Sequence, residues 1–166
     1  MRKLFSGMLV AGVLVLMVPV AQTAPKTVCM GAQVTIMGTQ GPDVIQGTEG
    51  VDVIESLAGD DQIDSLGGED VICSGRGHDT ITSGDAKDLV TTGPGNDSVN
   101  GGEGADEIVG DGDDDTLIGG LGDDWLDGGN GADSLDGGDG NDMCLNGETA
   151  VNCERFIGAV ELRIRN

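Results

Sequence analysis

Aromatic side chains are nearly missing from this sequence. Phe, Trp and Tyr make up 2% of its 166 residues, and Tyr does not occur at all. Ordinary globular cores draw much of their buried area from such side chains, so a conventional packed globule is excluded. Cationic residues are also scarce: 8 Lys+Arg stand against 30 Asp+Glu, a formal charge of −22. A surface of that sign repels nucleic acid, which is excluded as a partner. The single histidine, His78, lies beside Asp79 with no nucleophile arranged around it. There is no His-Glu-x-x-His zinc motif and no phosphate-binding loop, so catalysis is not expected. Few aromatics with high net charge is the composition of a disordered chain. Order must therefore come from some other device.

That device is a period. Gly38 to Leu145 divides into twelve nonapeptides without insertion or deletion. Four of them read GGEGADEIV from Gly101, GGLGDDWLD from Gly119, GGNGADSLD from Gly128 and GGDGNDMCL from Gly137. The sixth position is Asp in all twelve, from Asp43 to Asp142, and the eighth is apolar in all twelve, from Ile45 to Cys144. Gly and Asp in the first six positions are turn chemistry. An apolar residue flanked by mostly polar ones is a short half-buried strand. Turn plus strand is one repeat, and two repeats close one coil. Repeat n then stacks on repeat n+2 at the strand spacing of ~4.8 Å, so the rod is about 29 Å long. The expected fold is all-β: a parallel β-roll, a right-handed solenoid of about six coils. Odd repeats form one parallel sheet and even repeats the other, with the eighth-position residues between them. Solenoid ends need atypical units, assigned here to a cap strand in 25–37, where Ile36 takes the eighth position of a degenerate repeat, and to 146–166.

These residues match the pattern G-G-x-G-x-D-x-U-x. Over 38–145, about two thirds of its length, the chain resembles the RTX (hemolysin-type) calcium-binding nonapeptide-repeat family. Elementary chemistry points to the same ion. Stacking brings equivalent Asp carboxylates together, and about ten pairs at about 5 Å cost roughly 8 kcal/mol even at the dielectric of water. That rivals the whole stability of a domain, about 5–15 kcal/mol, so the roll needs cations to fold. Calcium takes six to eight oxygens in a flexible shell, which carboxylates and turn carbonyls can supply. Magnesium demands a tighter octahedron, and zinc and copper prefer His and Cys.

The turns are unequal. The first four open GTQGPD, GTEGVD, SLAGDD and SLGGED, with Thr or Leu replacing the second Gly, which makes closure around an ion harder. The next two, SGRGHD and SGDAKD, place Arg76 and Lys87 where a cation would sit. From Thr92 onward the turns approach the ideal, apart from GDGDDD at Gly110. The expected calcium ligands are the carboxylates of Asp97, Asp106, Asp115, Asp124, Asp133 and Asp142. Stacking joins Asp97 with Asp115, Asp106 with Asp124, Asp115 with Asp133, and Asp124 with Asp142. Around them lie the first-position glycines Gly101, Gly119, Gly128 and Gly137 and the fourth-position glycines Gly104, Gly122, Gly131 and Gly140.

The seventh position points outward and distinguishes the faces. On the even sheet it reads Val53, Val71, Leu89, Glu107, Trp125 and Met143, and on the odd sheet Val44, Gln62, Thr80, Ser98, Thr116 and Ser134. The even column is apolar, which marks a face to be covered by the chain's own tail or by a partner. An adhesive role for that face is one alternative function. An ice- or carbohydrate-binding role for the Thr/Ser face is another, weakened by its irregular ladder.

Before the roll, Arg2 and Lys3 precede an apolar run from about Gly7 to Ala21, so 1–24 reads as a secretory signal peptide. An uncleaved anchor is the alternative, and after cleavage no membrane span is expected. Four cysteines in a secreted chain suggest two disulfides. Cys144 and Cys153 are nine apart, with Cys153 at the eighth position of a thirteenth repeat, and are expected to bond. Cys29 then pairs with Cys73, although simple register separates them by about two coils. After the roll, Phe156 and Ile157 are expected to plug the last coil. Val160, Leu162 and Ile164 alternate with charged residues as a closing strand. The expected function is a secreted, extracellular, non-enzymatic calcium-binding protein that folds on binding several ions.

Overall fold

A computed structural model describes residues 28–157; the signal segment 1–24 and the closing strand expected at Val160–Ile164 lie outside the described residues. Among these residues there is no helix, and strands alternate between two parallel sheets. The odd repeats supply β4 (Val44–Thr48), β6 (Gln62–Leu66), β8 (Thr80–Asp85), β10 (Ser98–Glu103), β12 (Thr116–Leu121) and β14 (Ser134–Asp139), and the cap adds β16 (Thr149–Val151). The even repeats supply β5 (Val53–Glu55), β7 (Val71–Cys73), β9 (Leu89–Thr91), β11 (Glu107–Val109), β13 (Trp125–Asp127) and β15 (Met143–Leu145). They are flanked by β3 (Ile36–Met37) and β17 (Arg155–Ile157). Register confirms the eighteen-residue coil: Ile45 pairs with Ile63, Val99 with Leu117, and Ile108 with Leu126. This is the expected parallel β-roll.

The core is one file of eighth-position side chains. Ile54, Ile72, Val90, Ile108, Leu117, Leu126 and Cys144 are fully buried, and Ile45, at the open end, is 8% exposed. One apolar residue per repeat suffices because the two sheets face each other across a single layer. Burying each contributes about 1.5–3 kcal/mol, without help from aromatics.

Odd strands of the roll are longer than the three-residue even ones. They run on through the first positions of the following turn, as in β8 and β10, whose Gly84 and Gly102 stay in ladder register. Gly102 has φ 103°, and a Cβ there would sit 2.2 Å from the Gly84 carbonyl oxygen, too close for any side chain. At Gly102 it is the missing side chain that lets the two turns approach this closely.

The ends depart from the period. At the start, Ile36 registers with Ile54, so the cap begins with a degenerate repeat as expected. Before it, β1 (Val28–Cys29) and β2 (Ala32–Gln33) form an antiparallel hairpin lying against β5 and β7. The hairpin brings Cys29 to Cys73, and the disulfide forms with the α-carbons 5.9 Å apart. Register had separated these residues because it assumed a cap strand continuing the roll, whereas this segment folds onto the outside. It also covers the start of the even face, where Val53 is only 8% exposed. Leu89, Trp125 and Met143 farther along are half-buried, and the odd column from Val44 to Ser134 is exposed throughout.

At the other end, Cys153 bonds to Cys144 but does not take the eighth position of a thirteenth repeat. Ala150 does, paired with Leu135, because the closing coil is shortened. Phe156 registers with Cys144.

Candidate metal centre

Each sixth-position Asp immediately precedes a strand, so its carboxylate lies at the inner rim of its turn. Asp61, Asp70, Asp79, Asp88, Asp97, Asp106, Asp115, Asp124, Asp133 and Asp142 are all at most 3% exposed. Their Oδ1 atoms form two continuous ladders. The backbone N–H of Asp97 donates to Asp115 Oδ1 at 2.8 Å, Asp106 to Asp124 at 2.8 Å, Asp115 to Asp133 at 2.9 Å, and Asp124 to Asp142 at 2.9 Å. All four pairs named from the sequence are thus brought together. The ladders also extend back, through Asp79 donating to Asp97 and Asp88 to Asp106.

The second oxygen is different. In all ten of these aspartates Oδ2 is buried and accepts no hydrogen bond among the described residues. A buried ionised oxygen without a partner is costly. Ten in two files is a systematic feature, and such a feature points to a ligand that carries charge. The neighbouring serines do not satisfy them. Ser65 lies beside Asp70, but its one proton is donated to the Ser83 carbonyl at 2.6 Å.

Titration behaviour follows from this burial. Asp88 and Asp115 are pushed up to about 7, and Asp97 and Asp106 to about 6. Removal from water is the largest cause in each. Repulsion from stacked carboxylates is smaller and is partly offset by the backbone N–H donors. The sequence argument had put repulsion first; the dominant cost is desolvation.

The remaining oxygens near each turn are carbonyls. A Cβ built on Gly101 would lie 2.5 Å from both Asp106 Oδ2 and the Gly119 carbonyl oxygen. At Gly119 the Asp124 Oδ2 and the Gly137 carbonyl converge in the same way, and at Gly128 Asp133 Oδ2 does so at 2.5 Å. Gly137 faces Asp142 Oδ2 at 2.6 Å. At these four first-position glycines, oxygens therefore occupy the space a side chain would take. The fourth-position Gly104, Gly122, Gly131 and Gly140 all have φ between 132° and 159°, turning their own carbonyls toward the next coil. Among the described residues no three His, Cys, Asp or Glu side chains cluster, so an ion shell here must include backbone oxygens. Carboxylate plus carbonyl is the donor set of a hard cation such as calcium and not of zinc or copper. The residues present fit the ion.

Two groups escaped the sequence reading. Ser56, Ser65, Ser74, Ser83 and Thr92 are fully buried at first positions, each donating to the first-position carbonyl one coil on. The last two of these hydroxyls reach the Gly101 and Gly110 carbonyls, and from Gly119 onward the first-position carbonyls receive none. The recurrence of Ser at first positions was the available signal. At the closing end, Glu148 Oε2 accepts from the Asp133 N–H at 2.6 Å, replacing the Asp that a thirteenth repeat would supply. It falls outside the period, so spacing could not reveal it.

No curated protein matches the chain. The family model describing the RTX calcium-binding nonapeptide repeat matches in overlapping segments from residue 35 to 63, 46 to 81, 74 to 108, 82 to 117 and 109 to 144. With matches spanning 35–144 and the ladder of buried aspartates they contain, the chain belongs to the RTX calcium-binding nonapeptide-repeat family.

Proposed function

We propose that this is a secreted, non-enzymatic calcium-binding protein whose roll folds when calcium enters its turns. The observation that carries the reading is the double file of buried, unpartnered Asp Oδ2 atoms. Asp97, Asp106, Asp115, Asp124, Asp133 and Asp142 hold the ions, with carbonyls of the stacked turns around Gly101, Gly119, Gly128 and Gly137. The turns at Gly119, Gly128 and Gly137 rank first, because their carbonyls are free of the hydroxyls donated to Ser83, Thr92, Gly101 and Gly110. Calcium, when bound, supplies the positive charge that the buried carboxylates lack. Without it, the desolvated anions oppose the fold. An apolar run behind Arg2 and Lys3 fits export to a calcium-rich exterior. Circular dichroism and Trp125 fluorescence, titrated with calcium and then magnesium, test the reading. A coil-to-β transition with calcium and none with magnesium supports it; a chain fully folded in chelator and indifferent to calcium overturns it.

A second reading gives the even face a contact role. It is favoured by the hairpin that already seats on that face over Val53. Leu89→Ser with Trp125→Ser would then weaken self-association or adhesion while leaving the calcium midpoint in place.

A further inference from the structure

The first two turns of the roll are built differently from the other ten. In turns three to twelve the second residue has positive φ, including the non-glycines Leu57 at 82°, Leu66 at 73° and Asp111 at 68°. A branched Cβ makes that region very costly, so Thr39 and Thr48 do not enter it. Gly41 and Gly50, unlike the fourth-position glycines that follow, also keep ordinary φ. The consequence falls on the carboxylate. The Thr39 N–H donates to Asp43 Oδ2 at 2.6 Å, and the Thr48 N–H donates to Asp52 Oδ2 at 2.7 Å. The Thr48 hydroxyl lies 2.9 Å from the same Asp52 oxygen, and the Thr39 hydroxyl 3.1 Å from Asp43 Oδ2. Asp52 is buried too, at 6% exposure against at most 3% for its successors, yet neither it nor Asp43 has an unpartnered buried oxygen.

We infer that threonine at the second position stands in for the cation, so turns one and two close without calcium and form an ion-independent first coil. The boundary of ion dependence falls between Asp52 and Asp61. Two further contacts tie down this block. The Val53 N–H donates to Thr35 Oγ1 at 2.8 Å, and the Cys29–Cys73 disulfide pins the hairpin across it. Its far side presents a ready edge on which ion-filled coils can be added, sparing them the nucleation of a sheet from nothing. This inference rests on the calcium reading above.

Hydrogen exchange of the disulfide-intact protein, read by mass spectrometry in chelator and in calcium, tests it. The expected result in chelator is persistent protection over 36–54 with fast exchange over 97–142. Calcium at about 100 times its dissociation constant then slows 97–142 about 100-fold and leaves 36–54 nearly unchanged. If 36–54 exchanges as fast as 97–142 in chelator and both are protected together by calcium, the inference is overturned and the calcium reading stands. If 97–142 ignores calcium, the calcium reading falls and takes the inference with it. The double variant Thr39→Gly, Thr48→Gly separates the turns from the disulfide. It should lose protection of 36–54 in chelator and regain it in calcium; protection unchanged in chelator overturns the role of the threonines.

Discussion

The first coil and the coils after Gly101 share one strand register but solve one electrostatic problem in two ways. Near Asp43 and Asp52 the protein supplies its own donors. At Asp106, Asp115 and Asp124 the second residue of the turn takes positive φ, and one carboxylate oxygen is left without a donor. The difference teaches that the position-two residue, through the φ it allows, decides whether a turn satisfies itself or requires an ion. Identical Asp spacing conceals that choice.

Core truncation gives the largest effect and tests whether the comparison concerns turns alone. Ile108→Ala, in the middle of the file, should cost about 2–5 kcal/mol in calcium by urea unfolding. Ile45→Ala, at the open end and 8% exposed, should cost clearly less. Fourth-position glycines come next. Gly122→Ala requires a side chain at φ 132° against the Gly104 carbonyl and should cost about 1–3 kcal/mol or more. Gly41→Ala, the same repeat position with nothing within 4 Å, should be close to neutral in the same unfolding experiment.

Charge removal then separates the regions directly. Asp124→Asn keeps the Oδ1 acceptor for the Asp106 N–H but removes a ligand charge, and should raise the calcium midpoint about tenfold by titration. Asp52→Asn should leave that midpoint in place.

The smallest predicted effect is the pH dependence. Asp88, Asp97, Asp106 and Asp115 have folded values of about 6 to 7, above the ordinary 3.8, so the folded chain binds more protons than the unfolded one. Without calcium, stability is therefore greatest below pH about 4 and falls as pH rises toward about 7. Circular dichroism in chelator should show more β-structure at pH 4.5 than at pH 8; the reverse would contradict the burial of these carboxylates.

The fold was legible because a strict period transmits one local rule twelve times. Ile36, Ile45 and Leu126 could be assigned to one file before any coordinate was known. The stacked Asp partners followed from the same arithmetic. Where the period stops, so does legibility. The Cys29 hairpin, the shortened coil that places Ala150 under Leu135, and Glu148 beneath Asp133 are single solutions at the ends. The left-handed Leu57 and Leu66 were also hidden, because only their neighbours in the stack force a leucine into that conformation. The cost of carboxylate burial was underestimated for a related reason. Spacing gives the distance between charges but not the loss of water around them.

The alternation of faces has a consequence for how such a chain can change length. Loss of nine residues would leave every remaining turn, its Asp and the single apolar file in place. It would also exchange the two sheets beyond the break, moving Trp125 into line with Thr80 and Ser98. The half-buried column would be cut in two, and its pieces would lie on opposite sides of the rod. Duplication or loss is silent for the faces only in steps of eighteen, so the coil and not the repeat is the heritable unit of this architecture.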